Sequence, residues 1–119
     1  MLLSKHLSHN HEWMAEKANA HMEAATNAGQ PFFLYFTPTA PHGPNVYTTL
    51  ETGNILATPN GTLATSPDSG FSKNRSEIVT AASTVTSNLQ ANRAGEIYVD
   101  QAVGSLLSKL ESLSILDNT

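Results

Sequence analysis

The sequence predicts an α/β fold of which it supplies only a portion, and three observations carry that expectation. An apolar stripe at helical spacing occupies residues 11–28. A continuous apolar run follows at 32–36, and a second helical stripe runs from the 87–93 region to Leu113. A helix directly before a buried strand is half of a βαβ unit, yet the other strands of a sheet are not evident.

The first helix has the residues that start and stop one. Asn10 is placed to cap it, Glu12 and Glu16 favour its positive end, and Gly29 stands where a terminating residue is expected. Met14, Ala18, Met22 and Ala25 recur at spacings of four, four and three, a narrow alanine-rich stripe suited to close packing on a sheet. Gln30-Pro31 breaks the helix and opens Phe32-Phe33-Leu34-Tyr35-Phe36. The run is continuous rather than alternating, which predicts a strand covered on both faces, as in a parallel sheet.

Residues 38–76 are rich in Pro, Gly, Thr, Ser and Asn, with turns expected at 41–44, 52–54, 59–62 and 67–70. So long an irregular stretch is rare in a compact domain. It reads either as an insertion beside an active site or as a segment packed on absent parts. Asn60-Gly61-Thr62 and Asn74-Arg75-Ser76 match the glycosylation pattern, which is used only on the secretory route.

The last helix carries Val99, Val103, Leu106, Leu110 and Leu113 at spacings of four, three, four and three. Leu107 widens that stripe, while Ala94, Tyr98 and Ala102 flank it. It reads as one face laid on a sheet or another helix. Gly104 inside it costs about 1 kcal/mol against alanine, which fits either close packing or simple tolerance. Residues 1–10 show little pattern and are expected to be loosely ordered or to belong to a preceding element.

Composition removes several function classes. The chain has 119 residues, enough for one small domain. Ten acidic against six basic residues give a net charge of -4 and no basic patch, so nucleic acid is not an expected partner. The absence of cysteine excludes a disulfide scaffold and any thiolate metal site within these residues. No run approaches the length of a membrane span, and MLLSKHL is too short and too quickly polar for a signal peptide.

His42 is the candidate catalytic residue. It sits on a turn stiffened by Pro41 and Pro44, just past the carboxyl end of the apolar run, where open α/β sheets place ligands. A lone histidine in a Pro/Gly turn is otherwise a surface or structural residue. His6, His9, His11 and His21 make a histidine-rich start, but no carboxylate–histidine pattern completes a zinc site, and they are expected to be solvent-exposed. Asp100 is expected to make a helix-face hydrogen bond or ion pair rather than bind metal. Trp13 and Tyr35 read as core or interface residues, and Tyr47 as a candidate lining the approach to His42.

The run PFFLYFTPTAPHGP at 31–44 resembles a segment of the sulfatase family, within the alkaline-phosphatase-like superfamily. In that family an aromatic-rich strand leads through small residues to His-x-Pro, here His42 and Pro44. A second match lies downstream, in Tyr98-Val99-Asp100-Gln101-Ala102-Val103-Gly104 with Leu106-Leu107, Leu110 and Asp117-Asn118-Thr119. It is similar to the family's helix-and-exit segment. The resemblance implies that residues 1–119 are an incomplete internal portion of a sulfatase N-terminal catalytic domain, a partial α/β sandwich. By that resemblance Asp117 and Asn118 belong to a turn before the next strand rather than to the metal site. Lys73 and Lys109 are not its sulfate-binding lysines.

The resemblance implies cleavage of sulfate esters, arylsulfatase-like, on a small molecule or a sulfated carbohydrate. It assigns His42 to contact the sulfate and help protonate the departing oxygen. The intact family member uses a formylglycine nucleophile beside a divalent cation, usually Ca2+, and travels the secretory or lysosomal route. Neither a cysteine nor Ser-x-Pro-x-Arg occurs here, since Ser66-Pro67 places proline one position early and lacks the arginine. The metal-binding pairs are also missing. The expectation is therefore that nucleophile and metal come from other segments, that this chain alone is inactive, and that residues 45–76 shape substrate choice. Two alternatives stand beside it. One is a phosphatase or phosphonate-ester hydrolase of the same superfamily, and the other a non-catalytic binding or structural remnant.

Overall fold

The computed structural model describes residues 9–119, so the expectation of loose order over residues 1–10 lies almost wholly outside the described residues. Four helices dominate: α1 (His11–Asn27), α2 (Val46–Thr52), α3 (Arg75–Ala82) and α4 (Gln90–Ser112). A two-stranded antiparallel hairpin, β1 (Ala57–Thr58) with β2 (Gly61–Thr62), lies between α2 and α3. A 3-10 turn at Leu116–Asn118 follows α4. The architecture is mixed α/β, built around α4, which packs on α1, α2 and α3.

Helix α1 starts and stops as its sequence predicts. The Asn10 side chain accepts the Trp13 N–H at 3.0 Å. Gly29 takes φ 65°, and two closing bonds run from Gly29 N–H to Thr26 O and from Gln30 N–H to Ala25 O. These satisfy two of the carbonyls a helix end leaves free, in the Schellman pattern. The buried face differs from the expected stripe. His11, Ala15, Ala18 and Met22 are buried, whereas Met14 and Ala25 are only half-buried.

The same correction applies to α4. Its core face is Ala94, Tyr98 and Ala102, the residues expected to flank the stripe, together with Gln101 and Ser105. Of the predicted leucine-valine stripe, Leu110 is buried while Val103 and Leu107 are 44% and 50% exposed. Both readings follow a 3.6-residue period, and small residues won because α1, α2 and α3 approach α4 closely. Gly104 has nothing near the position of a side chain, so it is tolerated rather than required by packing.

The expected buried strand is corrected as well. Residues 31–39 are extended, with alternating exposure: Phe32, Leu34 and Phe36 are half-buried, whereas Phe33 and Tyr35 are 87% and 81% exposed. One face shares an apolar groove of about 430 Å3 with Met22, Val103, Leu106, Leu107 and Leu110. Among the described residues no strand pairs with it. A ladder requires neighbours on its edges, and the only pairing here is the distant hairpin.

The central region is more ordered than its composition suggests. Asn45 caps α2 by accepting the Thr48 N–H at 3.0 Å. Asn74 and Glu77 form a reciprocal capping box that starts α3. Asn74, read as part of a glycosylation pattern, is thus also a helix cap. The main apolar core joins Ala40, Val46, Leu50, Ile78, Ala82, Ala94 and Tyr98. No helix of the described residues is long and apolar enough to cross a membrane.

Candidate active site

His42 lies on the exposed turn between the extended segment and α2, and its side chain faces solvent. The turn beneath it is held from several sides. Ala40, two residues earlier, is a buried member of the core. The His42 N–H closes the turn onto Thr39 O at 3.1 Å. Pro41 lies over Gly95 of α4, where an added Cβ would stand 2.7 Å from Pro41 Cβ and 2.9 Å from its Cα. Only glycine admits that approach, because the nearer groups include backbone.

That contact sets a prediction. Gly95→Ala gains about 1 kcal/mol of helix propensity. It also forces Pro41 outward, an overpacking cost of about 1–3 kcal/mol. The expected result is a small net loss in urea denaturation together with large amide shifts over 39–44 in NMR spectra. Unchanged shifts there would show that the turn does not rest on Gly95.

The histidines at the start of α1 are the main surprise. His9 is 3% exposed and His11 fully buried, against the expectation of solvent exposure. His21 is exposed as expected, and His6 lies outside the described residues. The His9 ring meets Thr39 Oγ1 through Nδ1 at 2.7 Å and Pro44 O through Nε2 at 2.8 Å. A carbonyl only accepts, so Nε2 carries a proton, and in the neutral ring Nδ1 then accepts from the Thr39 hydroxyl. His11 Nε2 accepts two backbone N–H groups, from Thr39 at 3.1 Å and Ala40 at 3.2 Å. Its proton therefore sits on Nδ1, which has no hydrogen-bond partner among the described residues.

Behind these rings lies a buried ionic knot. Arg75 grips Glu12 bidentately, Nε to Oε1 at 2.8 Å and Nη2 to Oε2 at 3.0 Å. The Tyr98 hydroxyl donates to Glu12 and receives the His11 N–H at 2.9 Å and an Arg75 N–H at 3.3 Å. The His11 and Tyr98 rings stack with centroids 4.2 Å apart. Burial lowers the His11 pKa to about 4, with the neighbouring His9 acting in the same direction. Burial beside Glu12 pushes the Tyr98 hydroxyl well above its usual range, so it remains a donor. Asn10 adds a further tie, donating to Ile55 O at 2.8 Å and Ala57 O at 2.7 Å.

The quartet His9-Asn10-His11-Glu12 thus joins α1 to the His42 turn, the hairpin, α3 and α4. Its role was missed because two histidines and a carboxylate at a helix start resemble a solvated end. The available signal was the pairing of a capping Asn with residues that also needed partners.

The other candidates separate from His42. Asp100 is exposed on α4 and lines a polar cleft with Gln101, Ser105 and Gly70. Asp117 and Asn118 lie in the 3-10 turn, and Tyr47 is half-buried against the core. Trp13 is half-buried, whereas Tyr35 is exposed rather than core. Lys109 pairs with Glu23 at 3.1 Å.

Among the described residues, no three His, Asp or Glu side chains converge to hold a metal ion. The closest group does not fit one. Both His9 nitrogens and His11 Nε2 are already engaged, and Glu12 is neutralised by Arg75.

Comparison with known proteins supplies the class. No curated protein and no solved structure matches the chain. The family model described as Sulfatase matches residues 6–119, nearly the whole chain and including both the His42 turn and α4. The chain therefore belongs to the sulfatase family of hydrolases.

Proposed function

We propose that this chain forms one wall of the active site of a sulfuric-ester hydrolase, with His42 as the residue that contacts the sulfate ester. The observation that supports this reading most is an exposed imidazole on an immobilised turn. Among the described residues its ring makes only a 3.5 Å contact with the neighbouring Gly43 carbonyl, while Thr39, Ala40, Pro41 and Pro44 around it are held by His9, α1 and α4. A side chain without competing partners on a fixed base is preorganised for a ligand.

The chemistry asked of His42 is modest and specific. Breaking the ester S–O bond leaves negative charge on the departing oxygen. A protonated imidazole hydrogen-bonds that oxygen and transfers its proton as the bond breaks. Among the described residues no side chains gather to hold the calcium expected of the family, and the sequence has neither a cysteine nor a Ser-x-Pro-x-Arg segment to become the formylglycine. In this reading both belong to polypeptide beyond these 119 residues, as does the remainder of the catalytic domain. Substrates are sulfate esters, either small aryl esters or sulfated carbohydrates, with residues 45–76, which follow His42 in the chain, expected to influence the choice.

Two measurements test the proposal. The purified 119-residue protein is expected to leave an aryl sulfate intact, because it has no cysteine and no Ser-x-Pro-x-Arg segment. The coding sequence continuous with it is expected to hold Cys-x-Pro-x-Arg or Ser-x-Pro-x-Arg upstream. Turnover by the 119-residue protein, or a genuine start and stop at its ends with a stable monomer in solution, would overturn it.

A further inference from the structure

We propose that His9 is a positioning residue whose ring fixes the geometry of the turn presenting His42. The functional weight of this inference rests on the reading of His42 above, but the geometry stands apart from it.

The turn has two ends, Thr39 and Pro44, and one buried ring bridges them. Nδ1 accepts from the Thr39 hydroxyl at 2.7 Å while Nε2 donates to the Pro44 carbonyl at 2.8 Å. Imidazole suits the task because its nitrogens lie on opposite edges of one rigid plane and, in the neutral form, offer one acceptor and one donor. The ring itself is enclosed. It is 3% exposed, edge-on to the His11 ring at 6.0 Å, and its backbone carbonyl receives an Arg75 N–H at 3.4 Å. Position in sequence strengthens the point. His9 comes just before the Asn10 cap of α1, so the clasp is anchored to the helix that also delivers His11 Nε2 to the Thr39 and Ala40 N–H groups.

The two histidines divide the work. His11 holds the first end of the turn through backbone groups, while His9 alone reaches both ends among the side-chain contacts described. Thr39 and Pro44 are exposed, so water can replace the ring's bonds when it is removed. Removal should therefore free the turn much more than it unfolds the protein. A shift of about 1 Å in a catalytic group costs on the order of a hundredfold in rate, which makes such a clasp matter to chemistry.

The test uses nitrogen-15 NMR on the 119-residue chain. Long-range imidazole spectra of the wild type are expected to show His9 as the Nε2–H tautomer, with an acceptor Nδ1. In His9→Ala, exchange of the His42 amide hydrogen is expected to accelerate at least tenfold while that of Ala102 in α4 stays unchanged. His9→Gln keeps a donor for Pro44 O and is expected to restore part of the protection. An Nδ1–H tautomer, or a His42 amide indifferent to His9→Ala in a folded chain, would overturn the clasp. Should His9→Ala fail to fold, the wild-type tautomer and the His9→Gln comparison decide the same question. If the clasp is confirmed and His42 proves irrelevant to turnover, the reading of His42 fails and the geometry assigned to His9 stands.

Discussion

Glu12→Ala is expected to destabilise the protein by about 3–5 kcal/mol, the largest effect of any single truncation at the α1 start. Glu12 and Arg75 are both nearly buried, with side chains 6% and 11% exposed. Removing the carboxylate leaves a guanidinium in a poorly hydrated site with long bonds to neutral oxygens, at 3.4 Å to Gly53 O and His9 O and 3.3 Å to the Tyr98 hydroxyl. The Tyr98 hydroxyl also loses the group to which it donates. Such a loss is a large fraction of the roughly 5–15 kcal/mol typical of a domain. The cost belongs to the stranded charge rather than to the net value of the pair. Replacing both partners, as Glu12→Leu with Arg75→Met, is therefore expected to cost much less than Glu12→Ala alone. Urea denaturation of the wild type, Glu12→Ala and the double replacement measures it. A loss below about 1 kcal/mol in Glu12→Ala would show that water reaches Arg75.

Acidification is expected to destabilise the protein through His11 in a defined window. Its folded-state pKa lies near 4, against an ordinary value of 6.5, first because of burial and then because of the neighbouring His9. Arg75 acts in the same direction, while Glu12 and the bond to the Tyr98 hydroxyl oppose them. The unfolded chain therefore takes up this proton at a higher pH than the folded chain. The stabilising contribution is complete above about pH 6.5, falls as pH drops toward 4, and levels off below that. The gap corresponds to about 3 kcal/mol. Protonation would also place a proton on Nε2, where two backbone N–H groups already point. His11→Gln is expected to be less stable at pH 7 and to lose most of this slope. An unchanged slope in the variant would assign the acid sensitivity to other groups.

These effects show what was legible in the sequence. Helices α1 and α4 were, because Asn10, Gly29 and a sustained 3.6-residue period act locally. Helix α3 carried an equally local signal in Asn74 and Glu77, but Thr, Ser and Ala around it gave no apolar contrast. The buried faces of α1 and α4 were less legible. A stripe of leucine and valine on α4 predicts burial, yet three helices pack on its alanine, glycine and tyrosine side, leaving Val103 and Leu107 toward the groove with the 32–36 segment. That segment keeps the apolar character of a core strand while Phe33 and Tyr35 face solvent.

The candidate site divides along the same line. His42 stood out because its motif is contiguous and Pro41 and Pro44 flank it. Its supports are distant in sequence: His9 to Pro44 spans 35 residues, and Tyr98 to Glu12 spans 86. No local pattern reports such contacts. Gly95 illustrates this well, since nothing in its neighbours indicates that a proline 54 positions earlier rests on it (Pro41 to Gly95).

The most direct test of His42 is a kinetic comparison in the longer polypeptide proposed to carry the nucleophile. Aryl-sulfate turnover and thermal unfolding would be measured for that polypeptide and for its His42→Ala variant. The exposed ring makes no strong bond among the described residues, so the unfolding transition is expected to stay within the effect of an ordinary surface substitution. Loss of a positioned acid is expected to lower kcat by about 10²–10⁴-fold. Full turnover by a fully folded His42→Ala variant would remove His42 from the chemistry.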